Sequence, residues 1–166
     1  YQADDRWGAK RYGLSNMKLT GCVPTALAMA ISGLKEDVNP VQVADFLYVM
    51  TMELNTTFLG TSCLGVQEVV SQWGLNYKVI DSKEELEETL KNGTLVYGAV
   101  GHGIFVNGYS THAVLLTGYE NGKTKAFDPD NMAKTNKWYN IDDIWKERSL
   151  APEDNMTGGA FIAIYK

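Results

Sequence analysis

Thr20-Gly21-Cys22-Val23-Pro24-Thr25 is followed directly by the apolar run Ala26-Leu27-Ala28-Met29-Ala30-Ile31. Proline is tolerated in the first turn of an α-helix and breaks a helix further in, so Pro24 fixes the point at which a helix begins. Cys22 then lies at or just before the helix N-terminus, where free backbone N–H groups and the positive end of the dipole stabilise a thiolate. The stretch predicts a candidate nucleophile at Cys22. The alternative is a small buried cysteine that caps a core helix.

Four helices are predicted in the first 93 residues, and the first of them starts at Cys22. It is expected to run to about Ser32, to stop at Gly33 and to be buried, because it is apolar on nearly all sides. The others are predicted from Asn39-Pro40, from about Leu64 to Trp73, and from the capping box Ser82-Lys83-Glu84-Glu85 to Asn92-Gly93. Residues 1–21 have the pattern of an irregular polar and aromatic arm.

Strand patterns dominate the second half of the chain. Apolar segments at 94–100, 112–119, 123–128 and 159–165 predict strands, and Asn121-Gly122 predicts a hairpin turn between the second and the third. A short helix capped by Asn140 is predicted before the last strand. Helices first and strands later indicate an α+β fold, in which a helical N-terminal half packs on one side of a mostly antiparallel sheet in the C-terminal half.

Length and charge limit the classes of protein to consider. The 166 residues suit one domain, 1–166, with a substantial core. A net charge of −5 and the lack of a basic run argue against a nucleic-acid partner. No apolar stretch approaches the ~20 residues that span a bilayer. We expect a monomer without a cofactor. Because Tyr1 is not a natural initiator, we also expect that the original start and any targeting segment are missing from this sequence.

Two cysteines are too few for a disulfide scaffold, although one Cys22–Cys63 bridge stays open. Cys22, Cys63, His102 and His112 could in principle form one zinc site, but their spacings match no short metal motif. We expect Cys63 to be a buried or loop thiol.

A nucleophilic thiol needs a base within hydrogen-bond reach, and the chain has only two histidines. His112 begins an apolar strand, which would hold its ring in a fixed place. His102 lies in Gly101-His102-Gly103, a flexible setting. His112 is therefore the better candidate base; the alternative is a structural histidine at a strand end.

Asp128, at the end of the next strand, is the candidate that orients the base. A two-residue loop at Asn121-Gly122 would place Asp128 opposite Leu115, on the other face from His112. A three-residue loop or an equivalent bulge would instead place Asp128 opposite Val114, on the face of His112 and diagonal to it. We therefore predict the three-residue loop or such a bulge. The alternative role for Asp128 is a turn residue before a proline.

Thiol attack on a carbonyl makes an oxyanion, which needs fixed hydrogen-bond donors. The Cys22 backbone N–H is one candidate, and the side-chain amide of Gln2 is a second.

Four motifs occur in an order that resembles the C39-like cysteine peptidases, which belong to the papain-like group. The order Cys, His, Asp agrees with that group, and the resemblance extends from Gln2 to the last strand. One departure is Val23, where members of the family commonly have glycine. The motifs are Gln2-x-Asp4-x-x-Trp7, Gly21-Cys22-x-Pro24-Thr25-Ala26-Leu27-Ala28-Met29, Thr111-His112-Ala113-Val114 with Gly118-Tyr119, and Asp128-Pro129.

The resemblance implies a papain-like fold and a cysteine peptidase, or a related thiol hydrolase, that cleaves an amide through an acyl-enzyme. It implies Cys22 as nucleophile, His112 as general base and then acid, Asp128 as the orienting group and Gln2 in the oxyanion hole. It also implies a peptide or protein substrate, such as a leader or cell-wall peptide, and a secreted or surface-attached bacterial domain. The alternative function is a catalytically silent papain-like module that binds peptides.

Overall fold

The computed structural model describes residues 3–6, 11–12, 15–16, 22–47, 54–55, 60–61, 63–106, 111–130, 134–155 and 157–166. Two short antiparallel ladders flank the first helices. They are formed by β1 (Arg11–Tyr12) with β2 (Ser15–Asn16), and by β3 (Leu54–Asn55) with β4 (Gly60–Thr61).

Helix α1 begins at Cys22, as predicted, and Pro24 lies in its first turn. It continues through Gly33 to Leu34, so the predicted stop at Gly33 is wrong: the backbone of Gly33 stays helical, and its Cα hydrogens face Leu95. Helix α2 begins as predicted, because Asn39 accepts a hydrogen bond from the Gln42 backbone N–H. The helices of this half are α1 (Cys22–Leu34), α2 (Pro40–Asp45), α3 (Cys63–Gln72) and α4 (Lys83–Lys91).

Six further strands are β5 (Asn76–Ile80), β6 (Leu95–Val100), β7 (His112–Glu120), β8 (Lys123–Phe127), β9 (Lys137–Asn140) and β10 (Phe161–Tyr165). They form an antiparallel sheet in the order β5-β10-β6-β7-β8-β9. One of these strands, β5, lies between α3 and α4, so the strands are not confined to the second half. Two short helices, α5 (Ile141–Lys146) and α6 (Pro152–Asn155), precede the last strand.

Both faces of the sheet are covered by apolar packing. Along β7, Ala113 and Leu115 pack in the cluster that contains α1, whereas Val114 and Leu116 pack in a second cluster with α4 and α5. This alternation is the normal consequence of the two-residue repeat of a strand. The expectation of helices on one side is therefore corrected: α1 to α3 contribute to one face, and α4 and α5 pack on the other.

The β7–β8 hairpin sets the register of the candidate site. Its turn has two residues, with left-handed Asn121 and Gly122, so the three-residue loop is wrong. The equivalent bulge is present, because the pairing shifts by one residue between Thr117 and Glu120. Gly118 has a φ of 77° there, and Thr124 Oγ1 donates to its carbonyl at 2.8 Å. Phe127 consequently pairs with Leu115, which brings the next residue level with Val114.

Candidate active site

Cys22 is the first residue of α1 and carries a free, half-buried thiol. Because this thiol is free, the structure contains no Cys22–Cys63 disulfide. The N-terminus of a thirteen-residue helix directs its unpaired backbone N–H groups and dipole toward this position. The location agrees with the prediction made from Pro24.

His112 and Asp128 form a close pair at the open end of the β7–β8 hairpin. His112 Nε2 and Asp128 Oδ1 are 2.6 Å apart. The side chain of His112 is 12% exposed and that of Asp128 is 1% exposed, so water weakens their attraction little. The bulge thus brings the two residues together, although they are sixteen positions apart in sequence.

The Cys22 thiol lies close enough to the imidazole ring to raise the pKa of His112. Since Nε2 faces Asp128, the nitrogen left for the thiol is Nδ1. Burial lowers the pKa of His112, but the hydrogen bonds to Asp128 and Cys22 and the negative charges of both outweigh it and raise the pKa to about 10. The ring is therefore held as an imidazolium beside the Asp128 carboxylate.

Asp128 is fixed by its own turn. Its backbone N–H donates to Thr135 Oγ1 at 2.6 Å, and that hydroxyl donates back to its carbonyl at 2.9 Å. Its Oδ1 also accepts the Asp130 backbone N–H at 2.9 Å. Its Oδ2 is buried without a hydrogen-bond partner in the described part of the chain. The carboxylate can orient the ring because the surrounding turn holds the aspartate itself.

Three further residues surround this pair, Asp130, Thr135 and Tyr139, and sequence reasoning missed the first two. Burial raises the pKa of Asp130, which is close enough to His112 and Asp128 to feel both charges. Burial and the charge of Asp128 raise the pKa of Tyr139. The turn pattern Asp128-Pro129-Asp130 could have pointed to the first of these, whereas the other two depend on tertiary packing.

His102 is exposed on the segment that follows β6, and this segment is not as unconstrained as predicted. The Gly101 backbone N–H donates to the Glu147 carbonyl at 2.7 Å, and the Ile104 N–H donates to Glu147 Oε1 at 2.5 Å. A Cβ on Gly103 would overlap that carboxylate. Glu147, directly after α5, therefore fastens the start of the loop between β6 and β7, the loop that leads to His112.

Gln2, the candidate oxyanion donor, lies outside the described residues, and so does the side chain of Cys63. Among the residues that are described, no three His, Cys, Asp or Glu side chains cluster closely enough to hold a metal ion. Within the same residues, no helix is both long and apolar enough to cross a bilayer.

Three solved structures are similar to this chain over most of its length. A protein described as a C39-like peptidase from Bacillus anthracis has 16% identity over 88% of both chains, with a TM-score of 0.62. The peptidase domain of Streptococcus ComA, a bi-functional ABC transporter involved in a quorum sensing pathway, has 19% identity over 89% of this chain and 90% of its own, with a TM-score of 0.57. A double glycine motif protease from an AMS/PCAT transporter, solved in complex with a leader peptide, has 18% identity over 87% and 81%, with a TM-score of 0.51.

At these identities the structural likeness establishes the fold, and the predicted α+β papain-like architecture is confirmed. A search among curated proteins found no match. The sequence profile described as the Peptidase_C39 like family matches residues 2–158. With this match over nearly its whole length, the chain belongs to the Peptidase_C39 like family and is a cysteine peptidase.

Proposed function

We propose that this peptidase cleaves an amide bond through a thioester formed on Cys22. His112 takes the proton of the Cys22 thiol as general base and then gives it to the leaving amine as general acid, and Asp128 orients the ring. The observation that carries the proposal is the 2.6 Å contact between Asp128 and His112, together with a Cys22 thiol close enough to the same ring to raise its pKa. These residues come from a helix, a strand and a turn that are far apart in sequence, and structural packing alone does not require all three to meet.

In the proposed reaction, the Cys22 thiolate attacks the substrate carbonyl carbon and its electrons move to the carbonyl oxygen. The tetrahedral intermediate expels the amine, which takes the proton of the His112 imidazolium, and a thioester remains on Cys22. His112, now neutral, then removes a proton from water as the water attacks the thioester. The acid product leaves, the sulfur recovers its electron pair and the imidazolium is restored.

We propose that two donors stabilise the oxyanion of the intermediate: the Cys22 backbone N–H and the side chain of Gln2. The position of Cys22 at a helix N-terminus supports the first, since its N–H has no acceptor within the helix. For Gln2 the support is the family motif alone. Gln2→Ala should lower kcat more than it raises KM, because an oxyanion donor acts in the transition state.

Two cysteine variants test the central claim. Cys22→Ala should abolish both peptide cleavage and trapping of an acyl-enzyme seen by intact mass, whereas Cys63→Ala should retain both. Iodoacetamide should alkylate Cys22 rapidly even near pH 6, because the imidazolium beside it stabilises the thiolate, and His112→Gln should slow that reaction. Cleavage by Cys22→Ala would refute the assignment. Alkylation of Cys22 with the pH dependence of an ordinary thiol, or no alkylation, together with no turnover of any peptide, would favour the silent binding module.

The substrate class, the location and the assembly state are further parts of the proposal. We propose a peptide or protein substrate, such as a leader or cell-wall peptide, and a secreted or surface-attached bacterial enzyme that works as a monomer from a single domain, 1–166. Support for a leader peptide comes from the transporter protease, which was solved with one. Cleavage-site profiling, cell fractionation and light scattering of the purified protein test these three points separately.

A further inference from the structure

Asp130 adds a second carboxylate beside the pair formed by His112 and Asp128. Its backbone N–H donates to Asp128 Oδ1 at 2.9 Å, and the same oxygen is 2.6 Å from His112 Nε2. The Asp130 nitrogen therefore lies no farther from the imidazole than these two contacts laid end to end, about 5.5 Å. The proposed reaction assigns no role to this carboxylate.

The two aspartates of the turn differ in their access to solvent. The side chain of Asp128 is 1% exposed and Pro129 is buried, whereas Asp130 is exposed. Asp128 faces inward to the imidazole ring. Of the two carboxylates, only that of Asp130 can therefore meet a group that arrives from solvent.

Negative charge is in excess around Asp130. Among the described residues, the charges that act on its carboxylate are the positive charge of His112 and the negative charge of Asp128. Lys134, the lysine of the same turn, acts instead on Glu147. Two carboxylates thus share one imidazolium.

This environment favours a cation beside Asp130. Burial and the charge of Asp128 raise the pKa of Asp130, and the charge of His112 opposes them. Both causes of the rise disfavour the ionised carboxylate, and a positive group brought by a ligand would favour it again. A guanidinium or ammonium group could also donate charge-assisted hydrogen bonds to the carboxylate oxygens.

The substrate residues that follow the cleaved bond lie nearest to this carboxylate. In the proposed reaction the leaving amine takes its proton from His112, so these residues start beside the imidazole ring. An extended peptide advances about 3.3 Å per residue, so the first two of them lie within about 7 Å of that amine. Lysine and arginine carry their charge at the end of a long flexible stem, which can bridge the remaining distance to Asp130.

We infer that Asp130 is a specificity-determining residue, which binds a lysine or arginine side chain of the substrate at one of the first two positions after the cleaved bond. The inference rests on the proposed function, because the side of the substrate that faces Asp130 is defined by His112 as the general acid. A glutamate at the same position would bring a third carboxylate to the turn and should be disfavoured.

The test starts from a peptide that the wild type cleaves, selected from a randomised library. Lys, Arg, Gln or Glu replaces in turn each of the two residues on either side of the cleaved bond, and kcat/KM is measured for every peptide. At one of the two positions after the bond, the wild type should prefer Lys or Arg to Gln at least about fivefold, and Gln to Glu.

Two substitutions of Asp130 change this preference in different ways. Asp130→Asn should bring the ratio of kcat/KM for the Lys and Gln peptides to within about twofold of one, and Asp130→Lys should make the Glu peptide better than the Lys peptide. The ratio is taken within each protein, so a change in overall activity cancels. Added salt should lower the ratio in the wild type and leave it unchanged in Asp130→Asn.

Glu120→Gln is the matched control. It also removes one negative charge, but Glu120 is exposed at the far end of β7 from His112, so the wild-type ratio should persist. Equal ratios in the wild type and Asp130→Asn would overturn the role of Asp130 and leave the proposed function standing. A preference for Lys confined to positions before the bond would do the same. Failure of the wild type to cleave any library peptide would overturn both.

Discussion

Replacing Asp128 with asparagine should lower the pKa of His112 and, with it, the pH dependence of folding stability. The substitution keeps the size of the side chain but removes the charge that faces Nε2 of the ring. Burial, which lowers the pKa of His112, would then be opposed only by Cys22. An amide can also favour the wrong ring tautomer, so kcat/KM should fall by about 10²- to 10⁴-fold.

The size of the stability effect follows from the difference between the pKa of His112 in the folded protein and its unperturbed pKa. The pKa of His112 is about 10 in the folded protein and near 6.5 when it is unperturbed. At about 1.4 kcal/mol per pH unit, this interval corresponds to about 5 kcal/mol, and the hydrogen bond to Asp128 is the largest of the contributions that raise the pKa. Because the folded-state pKa is raised, this stabilisation is complete below about pH 6.5 and is lost as the pH rises through 10. Asp128→Asn should remove about 2 kcal/mol of the pH-dependent part.

Two measurements check this prediction. The chain has only two histidines, so ¹³C-labelled imidazole signals can be assigned with a His102→Gln variant, and the His112 midpoint should move to lower pH in Asp128→Asn. Urea unfolding at pH 6, 8 and 10 should give a free energy of unfolding that falls more steeply with pH in the wild type than in the variant.

His112→Gln is the control, because it removes the titrating group and should flatten the same part of the stability profile. An unchanged His112 midpoint in Asp128→Asn would refute the reasoning, since it would mean that the 2.6 Å contact does not set the charge of the ring. Equal slopes of stability against pH in the wild type and His112→Gln would refute it as well.

Three further substitutions test the scaffold by urea unfolding. Gly103→Ala should lower the free energy of unfolding by about 1–3 kcal/mol, because its Cβ would overlap the Glu147 carboxylate, and Glu147→Ala in the same chain should recover part of the loss. Asn39→Ala should cost about 1 kcal/mol through the lost cap of α2, and a cost near zero would contradict the capping assignment. Thr124→Val should cost about 1–3 kcal/mol and lower kcat, because the hydroxyl satisfies the Gly118 carbonyl in the bulge that aligns the hairpin; a stable, fully active variant would count against that role.

Local signals predicted the parts of the site that depend on helix ends and strand order. Pro24 located the start of α1 because a proline deep in a helix would break it, and Asn39 located α2 because its side chain caps the backbone. The face shared by Asp128 and His112 was predictable because the side chains of a strand alternate between its two faces. The two residues can share a face only if the strand pairing in the hairpin is shifted by one residue.

Other features depended on contacts that local sequence does not encode. The stop expected at Gly33 failed because α1 is packed along the sheet there, and packing outweighs the weak helix propensity of glycine. The one-residue shift in the hairpin pairing comes from a bulge at Gly118 rather than from a longer turn. Thr124, on the facing strand, stabilises this bulge because its hydroxyl donates a hydrogen bond to the Gly118 carbonyl. Helices on the second face of the sheet were missed because nothing local in α4 indicates which face it covers.

The two-residue turn at Asn121-Gly122 closes the β7–β8 hairpin at the end opposite to His112. β7 has nine residues from His112 to Glu120, so its eight steps of ~3.3 Å separate this exposed tip from the imidazole end by roughly 26 Å. An affinity tag or fluorophore inserted at the tip would thus be attached to β7, the strand that carries His112, and would still lie far from the Cys22 sulfur. The hairpin gives protein engineers an attachment point at which a label can track this enzyme without blocking its cleft.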